Sequence, residues 1–243
     1  MNETLTLTTP DGDMGVHVVR PDGDGSFPVI VFFHHGPGLD DGSKQAMQQL
    51  ADEGYYVITH DRYHREEPWY HLSPEMRKDQ DAMAKFWGVL MGTTEDMVDV
   101  DLQAVLAHLD SDPAAATDRK MGCIGYCIGA RSVVVMMARH DDRFGAGVGM
   151  HPSMCTTDQA DSPHLLVPDI SGALYVAFGS EDKMQSPADN VPFIEAVRGM
   201  PDGRGDADVL DGADHGFAVP GPAFHEAAAK TAYAKASELF KAL

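Results

Sequence analysis

A cysteine stands between two glycines in Gly125-Tyr126-Cys127-Ile128-Gly129, where a short β-type run over 121–125 gives way to a helical pattern over 132–140. A nucleophile in the centre of Gly-x-Nuc-x-Gly on a strand-to-helix turn is a nucleophile elbow. The spacing has a steric reason, because side chains at 125 or 129 would collide across so sharp a turn. The turn lifts Cys127 Sγ above the end of the sheet. It also aims the backbone N–H of Ile128, in the first turn of the helix, at whatever atom the sulfur attacks. A free thiol is only a few per cent thiolate at neutral pH, so such a sulfur gains from a neighbouring base. His215, in Asp214-His215-Gly216-Phe217, is the candidate base, and Asp182, in Gly179-Ser180-Glu181-Asp182, is the candidate acid that orients it. Glu181 is adjacent and could take the acid's place.

The elements that must position these groups alternate along the chain. Two alternating runs, 4–9 and 14–20, flank the turn Pro10-Asp11-Gly12-Asp13 and read as an N-terminal β-hairpin. The near-continuous apolar run Phe27-Pro28-Val29-Ile30-Val31-Phe32-Phe33 reads as a strand buried on both faces, ending in His34-His35-Gly36. A helix over 42–53, with Gly54 as its C′ residue, leads to a strand over 55–61. Helical patterns follow over 75–91 and 94–110, then the elbow, a strand over 146–150 and another over 173–178. A helix over 187–199, a strand over 207–210 and a helix over 222–242 close the chain. Strands alternating with helices predict an α/β fold with a mostly parallel central sheet flanked by helices, and no linker divides 1–243, which reads as a single domain. In such a sheet ligands bind beyond the carboxyl ends of the strands. Cys127, Asp182 and His215 fall at three such ends, in the chain order nucleophile, acid, histidine used by α/β-hydrolases.

The chain's 38 acidic residues stand against 18 basic ones, a formal net charge of −20 at pH 7. Such a field repels nucleic acid and anionic membrane, so neither is expected as a partner. The sequence shows no transmembrane run and no basic-then-apolar leader, and its three cysteines do not make a disulfide framework. A reduced, cytoplasmic setting is the expectation. The twelve histidines include no His-Glu-x-x-His spacing and lie mostly in loops, so no metal is expected.

These motifs together resemble the dienelactone hydrolase family, a cysteine-nucleophile branch of the α/β-hydrolases. The resemblance rests on 125–129, 179–182 and 214–217, with weaker support from Ile58-Thr59-His60-Asp61-Arg62-Tyr63 and Ala84-Lys85-Phe86-Trp87. It implies an α/β-hydrolase fold without a large lid, a Cys127-His215-Asp182 triad, hydrolysis of small esters or lactones through an acyl-cysteine, and no cofactor. Two departures bear on substrate. The family's best-known members carry a Glu where this chain has His35, and an Arg where it has Val219. A less anionic ester or lactone is therefore expected.

Gly36 is the candidate second oxyanion donor, because Pro37 has no N–H; a loop that needs glycine for its geometry reads equally well. Candidate pocket residues are His35, Tyr63, Trp69, Trp87, Tyr126, Arg131, His151 and Phe217, of which the aromatics could equally be core. The alternative reading is a thiol redox or ligand-binding protein that keeps the elbow without hydrolysis. Oligomeric state is not readable from the sequence.

Overall fold

The computed structural model describes residues 1–243. Strands β1 (Asn2–Thr9) and β2 (Gly12–Val19) form the expected antiparallel hairpin, with Thr9 opposite Gly12. They are followed by β3 (Phe27–Phe33), β4 (Tyr56–His60), the two-residue β5 (Ala115–Ala116), β6 (Met121–Tyr126), β7 (Phe144–Met150), β8 (Ala173–Gly179) and β9 (Gly205–Leu210). The sheet runs β1-β2-β4-β3-β6-β7-β8-β9, with β5 paired to the start of β3. From β4 to β9 every pairing is parallel, whereas β2 meets β4 antiparallel. The result is the α/β-hydrolase arrangement: a mostly parallel central sheet with helices on both faces.

Strand alternation divides the core into two layers. On one face Val29, Val31 and Phe33 of β3 join Leu174, Val176 and Phe178 of β8. They pack under α3 (Glu95–Ser111), α4 (Ile128–Arg139) and α6 (Val191–Arg198). On the other, Ile30, Phe32, Ile124, Tyr126, Tyr175 and Ala177 pack under α1 (Asp41–Asp52) and α7 (Glu226–Phe240). Each fully buried Val, Ile or Phe contributes roughly 1.5–3 kcal/mol, so both layers hold the strand ends in place. A satellite cluster of Tyr63, Tyr70, Leu72, Phe86 and Val89 closes the excursion between β4 and α3, which contains α2 (Gln80–Gly92).

Local capping moved three helix starts from where apolar spacing puts them. The Asp79 carboxylate accepts from the N–H groups of Asp81 and Ala82, both at 2.9 Å, so α2 begins at Gln80 and a separate turn at Met76–Lys78 precedes it. Ser186, Asp189 and Asn190 bond among themselves and delay α6 to Val191. His225 Nδ1 accepts from Ala228 N–H at 3.3 Å and starts α7 at Glu226. Conversely, α4 begins at Ile128, four residues before its apolar period becomes visible. The short α5 (Pro163–Leu166) and β5 carry no periodicity that could have announced them.

Candidate active site

The elbow is built by two close approaches. A Cβ on Gly125 would overlap the Gly129 carbonyl, and one on Gly129 would overlap the carbonyl of Phe33 in the neighbouring strand. With both positions free of side chain, the chain turns from β6 into α4 within one residue. Cys127 takes the strain at φ 55° and ψ −119°, in the region that non-glycine residues avoid. Its N–H is held by Met150 O at 3.0 Å and its carbonyl accepts from Ser153 N–H at 3.1 Å, so the strained residue is laced to the end of β7.

Asp182 is buried in the loop after β8, and one carboxylate oxygen accepts from His215 Nδ1 at 2.7 Å. The other oxygen accepts from the N–H groups of Met184 at 2.9 Å and Gln185 at 2.7 Å. Glu181, the sequence's other acid here, is solvent-exposed, and its N–H goes to Ala213 O at 2.9 Å. Gly179 lets the His215 loop come this near, because a Cβ there would overlap the Ala213 carbonyl. The bond at Nδ1 leaves Nε2 of His215 buried with no hydrogen-bond partner. Burial alone would lower the His215 pKa, but the Asp182 carboxylate and the Cys127 sulfur raise it to about 10.

Cys127 is partly exposed, and its sulfur lies 3.2 Å from Ser153 Oγ. Burial would push this thiol up; the neighbouring His215 outweighs it, aided by Ser153 and His35, and brings it down to about 7. Cys123 and Cys155 are fully buried in apolar surroundings, which push their thiols well above the ordinary range. Sulfur and imidazole are therefore biased toward a thiolate–imidazolium pair whose hydrogen-bonding geometry is not yet closed, with the sulfur resting on Ser153. Neither the Ile128 N–H nor the Gly36 N–H has an acceptor within the protein. Gly36 is buried after β3; its carbonyl accepts from Tyr63 Oη at 2.7 Å, and Phe86 and Leu90 of α2 stand over its Cα.

The other candidates divide. His35 Nε2 lies 3.0 Å from Asp40 Oδ2, a contact at ion-pair distance without hydrogen-bond alignment. Burial would raise the Asp40 carboxyl, but His35 and the Ser43 N–H hold it well below the usual carboxylate range. His151 is completely buried, at φ 39°, with ring centroids 5.0 Å from His215 and 5.5 Å from Phe217. Phe217 thus backs the His215 loop from inside. The Tyr126 hydroxyl is taken up by Tyr233 Oη at 2.7 Å. The Arg131 guanidinium is taken up by Met154 O at 2.7 Å, Glu95 at 3.4 Å and Asp161 at 3.7 Å. Trp87 is 48% exposed on α2, and the Trp69 indole lies against Gly15 of the hairpin. Sequence reading missed Ser153 as the sulfur's neighbour, Asp40 as His35's partner and Gln185. All three sit in polar segments with no period, where only a three-dimensional contact marks them.

A cavity of about 560 Å³ opens at the opposite end of the strands, lined by Lys120, Tyr175, Arg204 and Lys235 among others. Its cations are occupied: Lys235 pairs with Asp206 and Asp208, and Arg204 donates to the carbonyls of Ile170, Ser171 and Gly172. No helix is long and apolar enough to cross a membrane.

Known proteins resemble this chain in sequence and in fold. A provisionally named carboxymethylenebutenolidase of Synechocystis sp. is 26% identical over 98% of this chain and 96% of its own. The carboxymethylenebutenolidase of Pseudomonas putida is 24% identical over 68% of this chain and 69% of its own. A provisionally named dienelactone hydrolase structure from Klebsiella pneumoniae superposes with a TM-score of 0.83, covering 99% of this chain and 98% of that one at 19% identity. The model of the dienelactone hydrolase family matches residues 14–243, from the hairpin's second strand to the last residue of the sequence. The chain belongs to that family of hydrolases.

Proposed function

We propose that this protein hydrolyses small esters or lactones through an acyl-Cys127 intermediate, with His215 and Asp182 as its base and orienting acid. The observation that carries the reading is the 2.7 Å Asp182–His215 bond placed at the sheet edge that also presents Cys127 on its elbow. The Cys127 thiolate attacks the carbonyl carbon, and the C=O electron pair moves onto oxygen, facing the free N–H groups of Ile128 and Gly36. The tetrahedral species collapses, the C–O bond breaks, and the leaving oxygen takes the proton from His215 Nε2. In a lactone that oxygen stays tethered to the acyl group. Neutral Nε2 then takes a proton from water, hydroxide attacks the thioester carbon, and thiolate leaves as the acid forms. Asp182 holds the imidazole by Nδ1 throughout, so Nε2 faces the reacting atoms at both steps. No cofactor enters any step.

The working unit in this reading is 1–243 as one domain, in the cytoplasm, acting on a small molecule rather than on nucleic acid or a membrane. The test is a turnover screen of aryl esters, lactones and thioesters with wild type beside Cys127→Ala and His215→Ala, with intact-mass detection of the acyl-enzyme. Turnover lost in both variants and an acyl adduct on Cys127 are expected. Unimpaired Cys127→Ala turnover overturns the reading. An inert wild type whose thiol cycles reversibly with peroxide replaces it with the redox one.

A further inference from the structure

Ser153 is buried, and its hydroxyl has one hydrogen-bond partner in the whole protein, the Cys127 sulfur at 3.2 Å. A buried hydroxyl with a single partner is fixed by that partner, and here the partner is the nucleophile. The segment around it is held with unusual care. His151 and Met154, on either side of Pro152-Ser153, both have positive φ, 39° and 56°. Such backbone persists only where its surroundings over-determine it. His151 N–H is bonded to Ala177 O at 2.7 Å and Ser153 N–H to Cys127 O at 3.1 Å. Met154 is gripped from both sides: its N–H donates to Gln185 Oε1 at 3.0 Å, and its carbonyl accepts from Arg131 at 2.7 Å.

Gln185 ties this segment to the acid. Its backbone N–H donates to Asp182 Oδ1 at 2.7 Å, while Asp182 Oδ2 takes His215. The two oxygens of one carboxylate thus serve two routes to one sulfur. One runs through His215; the other runs through Gln185, Met154 and Ser153. We propose that Ser153 is a positioning residue that holds the resting Cys127 sulfur as thiolate by donating an O–H···S hydrogen bond to it, and that Gln185 keeps Ser153 in place. This deepens the reading of Cys127 as nucleophile and rests on it.

The arrangement has a use. A thiolate held by Ser153 leaves His215 Nε2, which has no other partner, free to carry its proton for the leaving oxygen. Other titratable groups also reach the sulfur: His215 from the loop after β9, His35 from the loop after β3, Tyr63 from the loop after β4 and Cys155 beyond Ser153. The measurement must therefore isolate the serine.

The experiment is the pH dependence of iodoacetamide alkylation at Cys127, followed by mass spectrometry for wild type, Ser153→Ala, Ser153→Thr and Gln185→Ala, with thermal melts as the folding control. It needs no ester turnover, so its outcome is separate from that of the hydrolase assignment. Ser153→Ala is expected to move the alkylation midpoint up by about one pH unit, the effect of one hydrogen bond to a charged group. Ser153→Thr restores it. Gln185→Ala, on a partly exposed loop residue, shifts it in the same direction by less. A folded Ser153→Ala with an unmoved midpoint overturns the proposal. Should Ser153→Ala fail to fold, an unmoved midpoint in Gln185→Ala overturns it instead.

Discussion

His151 stands edge-on to His215 with ring centroids 5.0 Å apart, and neither nitrogen of its fully buried ring has a hydrogen-bond partner. Burial, reinforced by the positive charge of His215, keeps His151 neutral far below its ordinary pKa of 6.5. It packs as a neutral ring against the His215 imidazole. Two other buried histidines at strand ends behave alike: burial lowers His34 to about 3 and His60 to about 4.

These three side chains predict an acid-labile fold. In the unfolded chain each takes up a proton near 6.5, whereas in the folded protein each stays neutral until the pH is far lower. Between those values the unfolded state binds more protons, so stability falls as pH falls below about 6.5, with each histidine contributing up to about 1.4 kcal/mol per pH unit. Urea unfolding at a series of pH values should show a loss beginning there. His60→Phe should make the slope shallower; an unchanged slope would mean that His60 is hydrated or charged in the folded protein.

In the proposed mechanism the opposed shifts of Cys127 and His215 set the pH profile of turnover. The thiolate forms as pH rises through about 7, and His215 loses the proton needed by the leaving oxygen near 10. A plot of kcat/KM against pH should therefore rise through about 7, level off and fall toward 10, with both limbs belonging to the coupled pair. A single acid limb near 4 would indicate a carboxylate in control instead.

Asp182→Asn keeps the shape of the acid but removes the charge that favours imidazolium and the right tautomer of His215. We expect a loss of roughly three to four orders of magnitude in kcat. Exposed Glu181, changed to Gln, should cost less than about twofold. Steady-state kinetics on both variants decides between the two acids that adjacent positions left open in the sequence.

What the sequence made legible follows from what has a period or a fixed spacing. The two-faced strand Phe27–Phe33 and the glycines at 125 and 129 announce themselves, because burial and close approach constrain residue type position by position. Gly125→Ala tests the second of these: its Cβ would overlap the Gly129 carbonyl, so a loss of about 3 kcal/mol or more, or no soluble protein, is expected on thermal melting. The Ser153–Cys127 contact and the His35–Asp40 pair were illegible because each joins loops whose residues are polar for several competing reasons. Helix starts were misplaced where one side chain, Asp79 or His225, capped the backbone against the apolar pattern.

Substrate charge is the last expectation, and the structure changes its grounds. Val219 is buried, packed near Gly42 at the start of α1, so it lines the base of that helix rather than offering a point for a clamp. Arg131 is committed to Met154, Glu95 and Asp161, while buried Arg62 is bonded to Ser132 at 2.7 Å and lies 3.5 Å from Glu95. Arg77 and Lys78 are exposed on the turn before α2. Near the sulfur, His35 already faces the Asp40 carboxylate, and Phe86 and Leu90 present hydrocarbon over Gly36. A carboxylated substrate meets no free bidentate cation among these groups, and a net charge of −20 opposes its approach. Lacking one charge-assisted fork costs on the order of 2 kcal/mol, about thirtyfold in affinity. Neutral aryl esters or lactones should therefore show higher kcat/KM than their carboxylated analogues at moderate salt. Raising the salt should narrow the gap by screening the long-range term without closing it. Val219→Arg should destabilise the fold rather than recruit carboxylates. A wild-type preference for the carboxylated analogue, abolished in Arg77→Ala or Lys78→Ala, would place the missing clamp on that turn and sink this account.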